Sequence, residues 1–472
     1  MKSRDNRSAN NAPSSSPEAS AISAPQIANR RFIIALLIAC YLLFGVIHLF
    51  STPLGGTGYQ DAPDEAAHVS YVRSVMLGHF PSKQHPHAAG AAGYPDYEWH
   101  QPPLYYIAAA PLLAGGERAI RLLSLICGVL TVLVVYKTAR LIRPDSEIIA
   151  ITAAGFAALI PGHVAITSAV NNDSLLELLI SLLLLQLVQL QIKGGGTKSA
   201  VAIGMLVAAG ILTKVTALLM MPVVLTAFWF LYRRGENVKL LGKQLVIVFL
   251  SILMASGWWF VRNKALYGEL LPLHAFQKAF EGTAQAADVV NGGLGLNIHG
   301  WGEYWQRVFV WCYNSFWAVY GTPKSAQFGV PLFLPDSVYL LTAVIVLGAF
   351  VGITRLHFIR DTLFDAAHRH ALYLMLFTLA FVVLAYVSFA VHYFQTQGRY
   401  LYPAISTISL CLSMGWLALF PKKYEKAASA GVLGFLALLS ILFAVSTSNR
   451  QAAAANPETT SAHSSARHTI DI

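Results

Sequence analysis

The sharpest chemical signal in the chain is Asp61-Ala62-Pro63-Asp64-Glu65-Ala66-Ala67-His68. With Asp61 as helix cap and Pro63 in the first turn, helical spacing sets Asp64 and His68 one turn apart, with Glu65 beside them. Two carboxylates and an imidazole placed in this way can accept a proton, orient the acceptor of one, or share a divalent metal. The same residues also suit a well-capped surface helix, because the helix dipole favours acids in a first turn.

Further along, Glu98-Trp99-His100-Gln101-Pro102-Pro103-Leu104-Tyr105-Tyr106 joins polar groups to a double proline that cannot continue a helix. The aromatics suit an interfacial anchor, and His100 and Gln101 are open to either a structural or a ligand-binding role. Asn171-Asn172-Asp173-Ser174 stands where an apolar run begins, and any of these residues can cap it. Glu177, one turn deeper than Asp173, is ionisable within that run and so is a functional candidate, or else a carboxylate neutralised by protonation or by a neighbouring helix. Lys214 interrupts a long apolar stretch, where it can snorkel to an interface or meet an anion. Arg262 in Trp258-Trp259-Phe260-Val261-Arg262-Asn263, and Arg399 in Gln397-Gly398-Arg399-Tyr400, carry guanidinium forks that match phosphate oxygens.

The elements that must position these residues are membrane spans. Of 472 residues 56% are hydrophobic and 12% charged, with a mean hydropathy of +0.55, outside the range of ordinary soluble domains. Apolar runs near the ~20 residues of a bilayer crossing fall at 32–50, 118–141, 146–161, 174–192, 199–213, 215–231, 244–260, 337–354, 371–391, 400–420 and 428–446. This predicts an all-α polytopic membrane protein with about eleven spans.

Short cytoplasmic loops retain Lys and Arg. Starting with Arg30 and Arg31 inside, alternation puts 20 of the 33 basic residues in the cytoplasm with the N-terminus. The net charge of +10 therefore reports topology, and nucleic-acid binding need not be invoked. All the motifs above fall on the other side, where the cation in the short Arg399 loop needs a further reason, and a phosphate ligand supplies one. The first apolar run is nineteen residues long and followed by Ser51-Thr52-Pro53-Leu54, which reads as an anchor rather than a cleaved signal. The four cysteines are dispersed and indicate neither a disulfide framework nor a thiolate metal site. Residues 1–29 and 447–472 are too polar for a core and read as disordered tails around a domain at 30–446, with long outer loops at 51–117 and 261–336.

Taken in order, Pro63-Asp64-Glu65 with His68, Gln101-Pro102-Pro103-Leu104-Tyr105-Tyr106, Asn172-Asp173, Trp259 with Arg262-Asn263 and Gly268, and Gln397-Gly398-Arg399-Tyr400 with Pro403 resemble the GT-C class of membrane glycosyltransferases. That class uses polyprenyl-phosphate sugar donors and includes protein mannosyltransferases and aminoarabinose transferases. The pattern is most similar to a bacterial family of unknown function related to it. The resemblance implies a GT-C-like fold and an acidic base or metal ligand in the first outer loop, which maps onto Asp64 and Glu65. It also implies basic residues on the donor phosphate, for which Lys214, Arg262 and Arg399 match. The chain lacks a large soluble C-terminal outer domain, which favours a lipid or polysaccharide acceptor over a peptide.

The expected activity is sugar transfer from an undecaprenyl-phosphate-linked donor at the outer face of a bacterial inner membrane, among membrane lipids. Asp64 is the expected base, with Glu65 and His68 positioning it or sharing a divalent metal; no other cofactor is implied. His100, Gln101, Asn172, Asp173, Lys214, Arg262, Arg399 and Tyr400 are the expected substrate-binding residues. The rivals are a transporter or flippase, which would hold ionisable residues near the bilayer midplane, and a non-catalytic component of envelope polysaccharide assembly.

Overall fold

The computed structural model describes residues 24–54, 62–80, 83, 97–281, 283–319, 333–358 and 364–455. Among the described residues strand-like pairing is confined to two isolated bridges, Gln285 with Tyr393 and Asn291 with His299. Helices dominate because hydrocarbon offers no partner to a free N–H or C=O, so each span must satisfy its own backbone.

The first helices are α1 (Ala24–Ser51), α2 (Glu65–Met76), α3 (Leu104–Ala109), α4 (Glu117–Ile142), α5 (Glu147–Leu159) and α6 (Pro161–Ile166). The middle of the chain forms α7 (Asp173–Lys193), α8 (Thr197–Thr213), α9 (Met221–Arg233), α10 (Val238–Tyr267), α11 (Leu273–Ala279), α12 (Ala286–Val290) and α13 (Trp301–Trp317). The last are α14 (Asp336–Phe358), α15 (Ala366–His392), α16 (Ile405–Ala418) and α17 (Glu425–Ala455).

Among the described residues nine helical runs are long and apolar enough to cross a membrane: α1, α4, α7, Val215–Arg233, α10, α14, α15, Gly398–Ala418 and α17. The expectation of eleven is not reached by length. The other two runs are α5 and α8, apolar helices of 13 and 17 residues, shorter than the ~20 of a full crossing. The chain is nonetheless a multi-pass, all-helical membrane protein. Most of both expected tails lies outside the described residues, as do Lys2, Arg4, Arg7, Asp61 and Arg360, but α1 reaches back to Ala24 and α17 forward to Ala455.

α7 is the centre of the bundle: 72% of its most apolar window is buried, against 22% for α10, which leaves α10 at the periphery. It packs on α4, α8 and α15, so anything fixed to its first turn is held rigidly. α14 and α16 approach so closely at Gly352 and Gly415 that a Cβ on either would collide with the other backbone, the close packing that small residues permit in a membrane.

The two ends of the bundle differ. At one, Arg30 and Arg140 both approach Glu147, and Arg234 and Arg355 donate to the carbonyls of Gln191 and Ala418 at helix ends, where cations favour the dipole. At the other, the C-terminal ends of α1 and α8 meet the N-terminal ends of α2, α4 and α7 and the 3₁₀ segment Gly398–Ala404. Among the described residues Asp64, Glu65, Glu98 and Asp173 gather there.

Candidate active site

The first turn of α2 is pinned from beneath by Arg121 of α4, which is fully buried. Its Nε and Nη2 donate to the Glu65 carboxylate at 2.7 and 2.5 Å, its Nη1 to the carbonyls of Leu49 and Thr52 at 2.7 and 2.8 Å, and its Nη2 also to that of Pro53 at 2.9 Å. All five guanidinium N–H groups are thus used. Glu65 Oε1 also accepts the Val170 N–H at 2.9 Å, tying α2 to the loop before α7. Sequence reasoning missed Arg121. The signal was available, since a cation near the non-basic end of a span invites the same question as Arg399.

Asp64 takes the N-cap position of α2 with φ of 62°, in the left-handed region, and its side chain makes no capping hydrogen bond. Asp tolerates this conformation better than most residues. The expected helix start is therefore shifted: Pro63 precedes the helix, and the capped-helix interpretation does not account for the Asp64 carboxylate. Its Oδ2 instead accepts from Arg399 Nη2 at 2.8 Å. Arg399 Nη1 lies 3.8 Å from Asp173 Oδ2, and Lys214 Nζ donates to Asp173 Oδ1 at 2.5 Å. The ring of Tyr400 lies beneath both cations, 5.4 Å from Arg399 and 5.9 Å from Lys214.

Local structure explains these positions. Asn171 Oδ1 caps α7 by accepting the Ser174 N–H at 3.0 Å, which leaves Asn172 and Asp173 available. Asn172 donates to Gln101 Oε1 at 3.3 Å and to the Thr213 carbonyl at 3.2 Å. Lys214 is an extended residue that ends α8, and it reaches Asp173 instead of snorkelling. Gly398 admits the Phe316 backbone where a Cβ would collide, and its N–H donates to Ser315 Oγ at 2.7 Å, which fixes the turn bearing Arg399.

Three expectations meet a different geometry. Glu65 is engaged by the scaffold, through Arg121 and the Val170 N–H. The trio Asp64, Glu65 and His68 does not converge as metal ligands: Arg399 takes the cationic place beside Asp64, and His68 turns its Nδ1 to Tyr106 Oη at 2.8 Å. Among the described residues no three His, Cys, Asp or Glu side chains group as a metal site requires. Arg262 stacks over Trp259 at 4.5 Å on α10 and lies near Tyr71 of α2 and Tyr267.

Burial sets the protonation states of the loop residues. Desolvation lowers His68 to about 4 and His100 to about 3, so both are neutral at neutral pH. Desolvation and the nearby Asp64 charge raise Glu98 to about 8, and burial pushes Tyr97 further above the usual phenol range. The deeper Glu177 is paired on one oxygen only: its Oε2 meets His163 Nε2 at 3.0 Å, His163 Nδ1 meets the Ala157 carbonyl at 2.7 Å, and its Oε1 is buried without a partner.

One open hollow borders the charged cluster, lined by Pro63, Gly398 and Arg399 together with His48, Ile166 and Phe443. A second lies away from it, lined by His100, Val215, Trp259, Asn263, Tyr267 and Phe276.

Residues 100–259 match the family described as dolichyl-phosphate-mannose-protein mannosyltransferase, a span that includes Gln101, Asn172, Asp173 and Lys214. Over that stretch alone the chain is similar to that family. No curated protein matches the sequence. Among solved structures, the apo oligosaccharyltransferase of Archaeoglobus fulgidus is similar at 12% identity and a TM-score of 0.49, over 88% of this chain and 56% of that one. ArnT from Cupriavidus metallidurans bound to undecaprenyl phosphate is similar at 16% identity and a TM-score of 0.47, over 84% and 62%. The archaeal oligosaccharyltransferase AglB of Archaeoglobus fulgidus, in complex with an inhibitory peptide and a dolichol-phosphate, gives 13% and 0.46, over 89% and 55%. The chain spans less than two thirds of the length of these three solved proteins.

Proposed function

We propose that this protein transfers a sugar from an undecaprenyl-phosphate-linked donor to a hydroxyl of a lipid or envelope-polysaccharide acceptor, at the outer face of a bacterial inner membrane with the basic loops in the cytoplasm. What carries this is the bridge from Arg399 to Asp64 and Asp173, with Lys214 on Asp173, buried where several spans end. A lipid phosphate presents its head group at that depth. A guanidinium fork and an ammonium match its oxygens, and the family matched by residues 100–259 is described by a lipid-phosphate-linked sugar.

In the arrangement described, Arg399 is engaged by Asp64. A donor phosphate competes for that guanidinium and frees the carboxylate. Asp64 then accepts the proton of the acceptor hydroxyl as its oxygen attacks the anomeric carbon. The bond from that carbon to the phosphate oxygen breaks, and its electron pair leaves with the lipid phosphate, where Arg399 and Lys214 stabilise the charge. Phosphate is already a good leaving group, so orientation and electrostatics supply most of the catalysis. The transporter alternative gains nothing from Glu177, which is paired with His163.

The experiment is reconstitution in proteoliposomes with undecaprenyl-phosphate-linked sugars and an envelope lipid fraction, with released undecaprenyl phosphate measured by mass spectrometry. Release that depends on both protein and acceptor is expected. No release across a panel of sugars and acceptors refutes the proposal.

A further inference from the structure

Glu98 has no part in the steps above, yet it faces the same cluster. It lies on the turn 97–100 ahead of the double proline, is 6% exposed, and its Oε2 is buried without a hydrogen-bond partner. The charged and titratable groups around it come from every neighbouring element: Asp64 ahead of α2, Lys214 after α8, Arg399 in the 3₁₀ segment, Tyr97 on its own turn and Tyr106 on α3. Its side chain also bonds to Gln101. A buried polar atom left without a partner is costly, and one near the charges of Lys214 and Arg399 marks where a ligand atom would sit.

Charge counting says which form of Glu98 can serve a phosphate. Lys214 and Arg399 are balanced by Asp64 and Asp173, so an ionised Glu98 would make the site net negative before any anion arrives. A protonated Glu98 leaves it neutral. Burial and Asp64 favour that form, raising the group to about 8, and a neutral carboxylic acid is a hydrogen-bond donor.

We propose that Glu98 serves the site as a neutral carboxylic acid whose free oxygen donates its O–H to an oxygen of the bound lipid phosphate, beside Lys214 and Arg399. This rests on the lipid-phosphate donor proposed above and adds to it a neutral hydrogen-bonding group. An O–H bond to an anionic oxygen is of the stronger, charge-assisted kind, and it relieves the buried Oε2.

The test is titration of the purified full-length protein with undecaprenyl phosphate, read by native mass spectrometry, in wild type, Glu98→Gln and Glu98→Ala. Thermal unfolding checks that each variant is folded. Gln keeps a neutral donor, so Glu98→Gln is expected within about twofold of wild type, whereas Glu98→Ala should bind at least about tenfold more weakly. Raising the pH through about 8 ionises Glu98, so wild-type binding should weaken on the alkaline side and Glu98→Gln binding should not. Undecaprenol, which lacks the phosphate, should bind all three alike, and inorganic phosphate should bind far more weakly than the lipid with the same ranking. Glu98→Ala binding like wild type, Glu98→Gln binding as weakly as Glu98→Ala, an equal alkaline loss in Glu98→Gln, or an undecaprenol affinity that falls in parallel would each overturn the proposal. Inorganic phosphate binding as tightly as the lipid would overturn its lipid part. A folded wild type that ignores undecaprenyl phosphate refutes the donor assignment itself and this inference with it.

Discussion

Asp64 and Glu65 are chain neighbours, and each carboxylate meets an arginine, yet the two pairs are built differently. Around Arg121 and Glu65 every guanidinium N–H is used, on a carboxylate and three backbone carbonyls, and neither side chain is exposed. Around Arg399 and Asp64 the Nε of the arginine has no partner, the guanidinium is divided between two acids, and Asp64 is 22% exposed beside a cavity. A saturated buried pair has nothing left to offer a ligand, and removing one partner leaves a bare charge in low dielectric. An unsaturated pair at a cavity can exchange partners. Asp64 precedes the helix in a left-handed conformation while Glu65 opens it, so the two adjacent acids reach different partners, one serving the scaffold and the other the site.

The sharpest way to break this comparison is Arg121→Ala. It should cost roughly 3–5 kcal/mol by leaving Glu65 buried and unpaired, seen as loss of the folded species in detergent thermal unfolding. Glu65→Gln should be destabilising for the same reason. Normal stability of either variant would remove the distinction between the pairs.

Asp64→Asn is next. It keeps the shape and loses the base, so transfer should fall roughly 10²–10⁴-fold while thermal stability changes little, in an assay with saturating lipid donor. Full activity would make the Asp64–Arg399 pair architectural as well. Arg399→Lys is gentler: it keeps the charge and loses the planar fork, so the apparent donor affinity should weaken by roughly tenfold, on the scale of one charge-assisted hydrogen bond. An unchanged donor affinity would assign the phosphate elsewhere. The smallest effect belongs to Asp145→Asn at the basic end, whose pair with Arg143 leaves Asp145 63% exposed. Exposed pairs contribute about 0–1 kcal/mol, so a larger loss of stability would show that exposure is a poor guide to which pairs matter here.

Much of this was legible in the sequence. Hydropathy located the nine long runs and two of the three shorter apolar helices among the described residues, missing Leu104–Gly115, because a bilayer imposes length and composition on each span separately. Residue type and sidedness picked out Asp64, Asn172, Asp173, Lys214 and Arg399, and the structure draws them into one cluster. Local pattern failed where one position could serve two partners. Asn171, not its neighbours, caps α7. Arg262 has the same chemistry as Arg399 but packs on Trp259.

By itself, then, the sequence determined a multi-span helical protein with its acids and odd cations gathered at span ends, since these follow from composition read along the chain. The tertiary structure decided which charge meets which. Asp64 and Arg399 lie 335 residues apart, and Glu65 and Arg121 lie 56 apart. No periodicity distinguishes those partners in advance, because each pairing depends on how α4, α7, α8 and the Gly398 turn pack together in three dimensions. The division of labour between two adjacent carboxylates, and the unsatisfied Glu98 beside them, exist only once those helices have closed around the site.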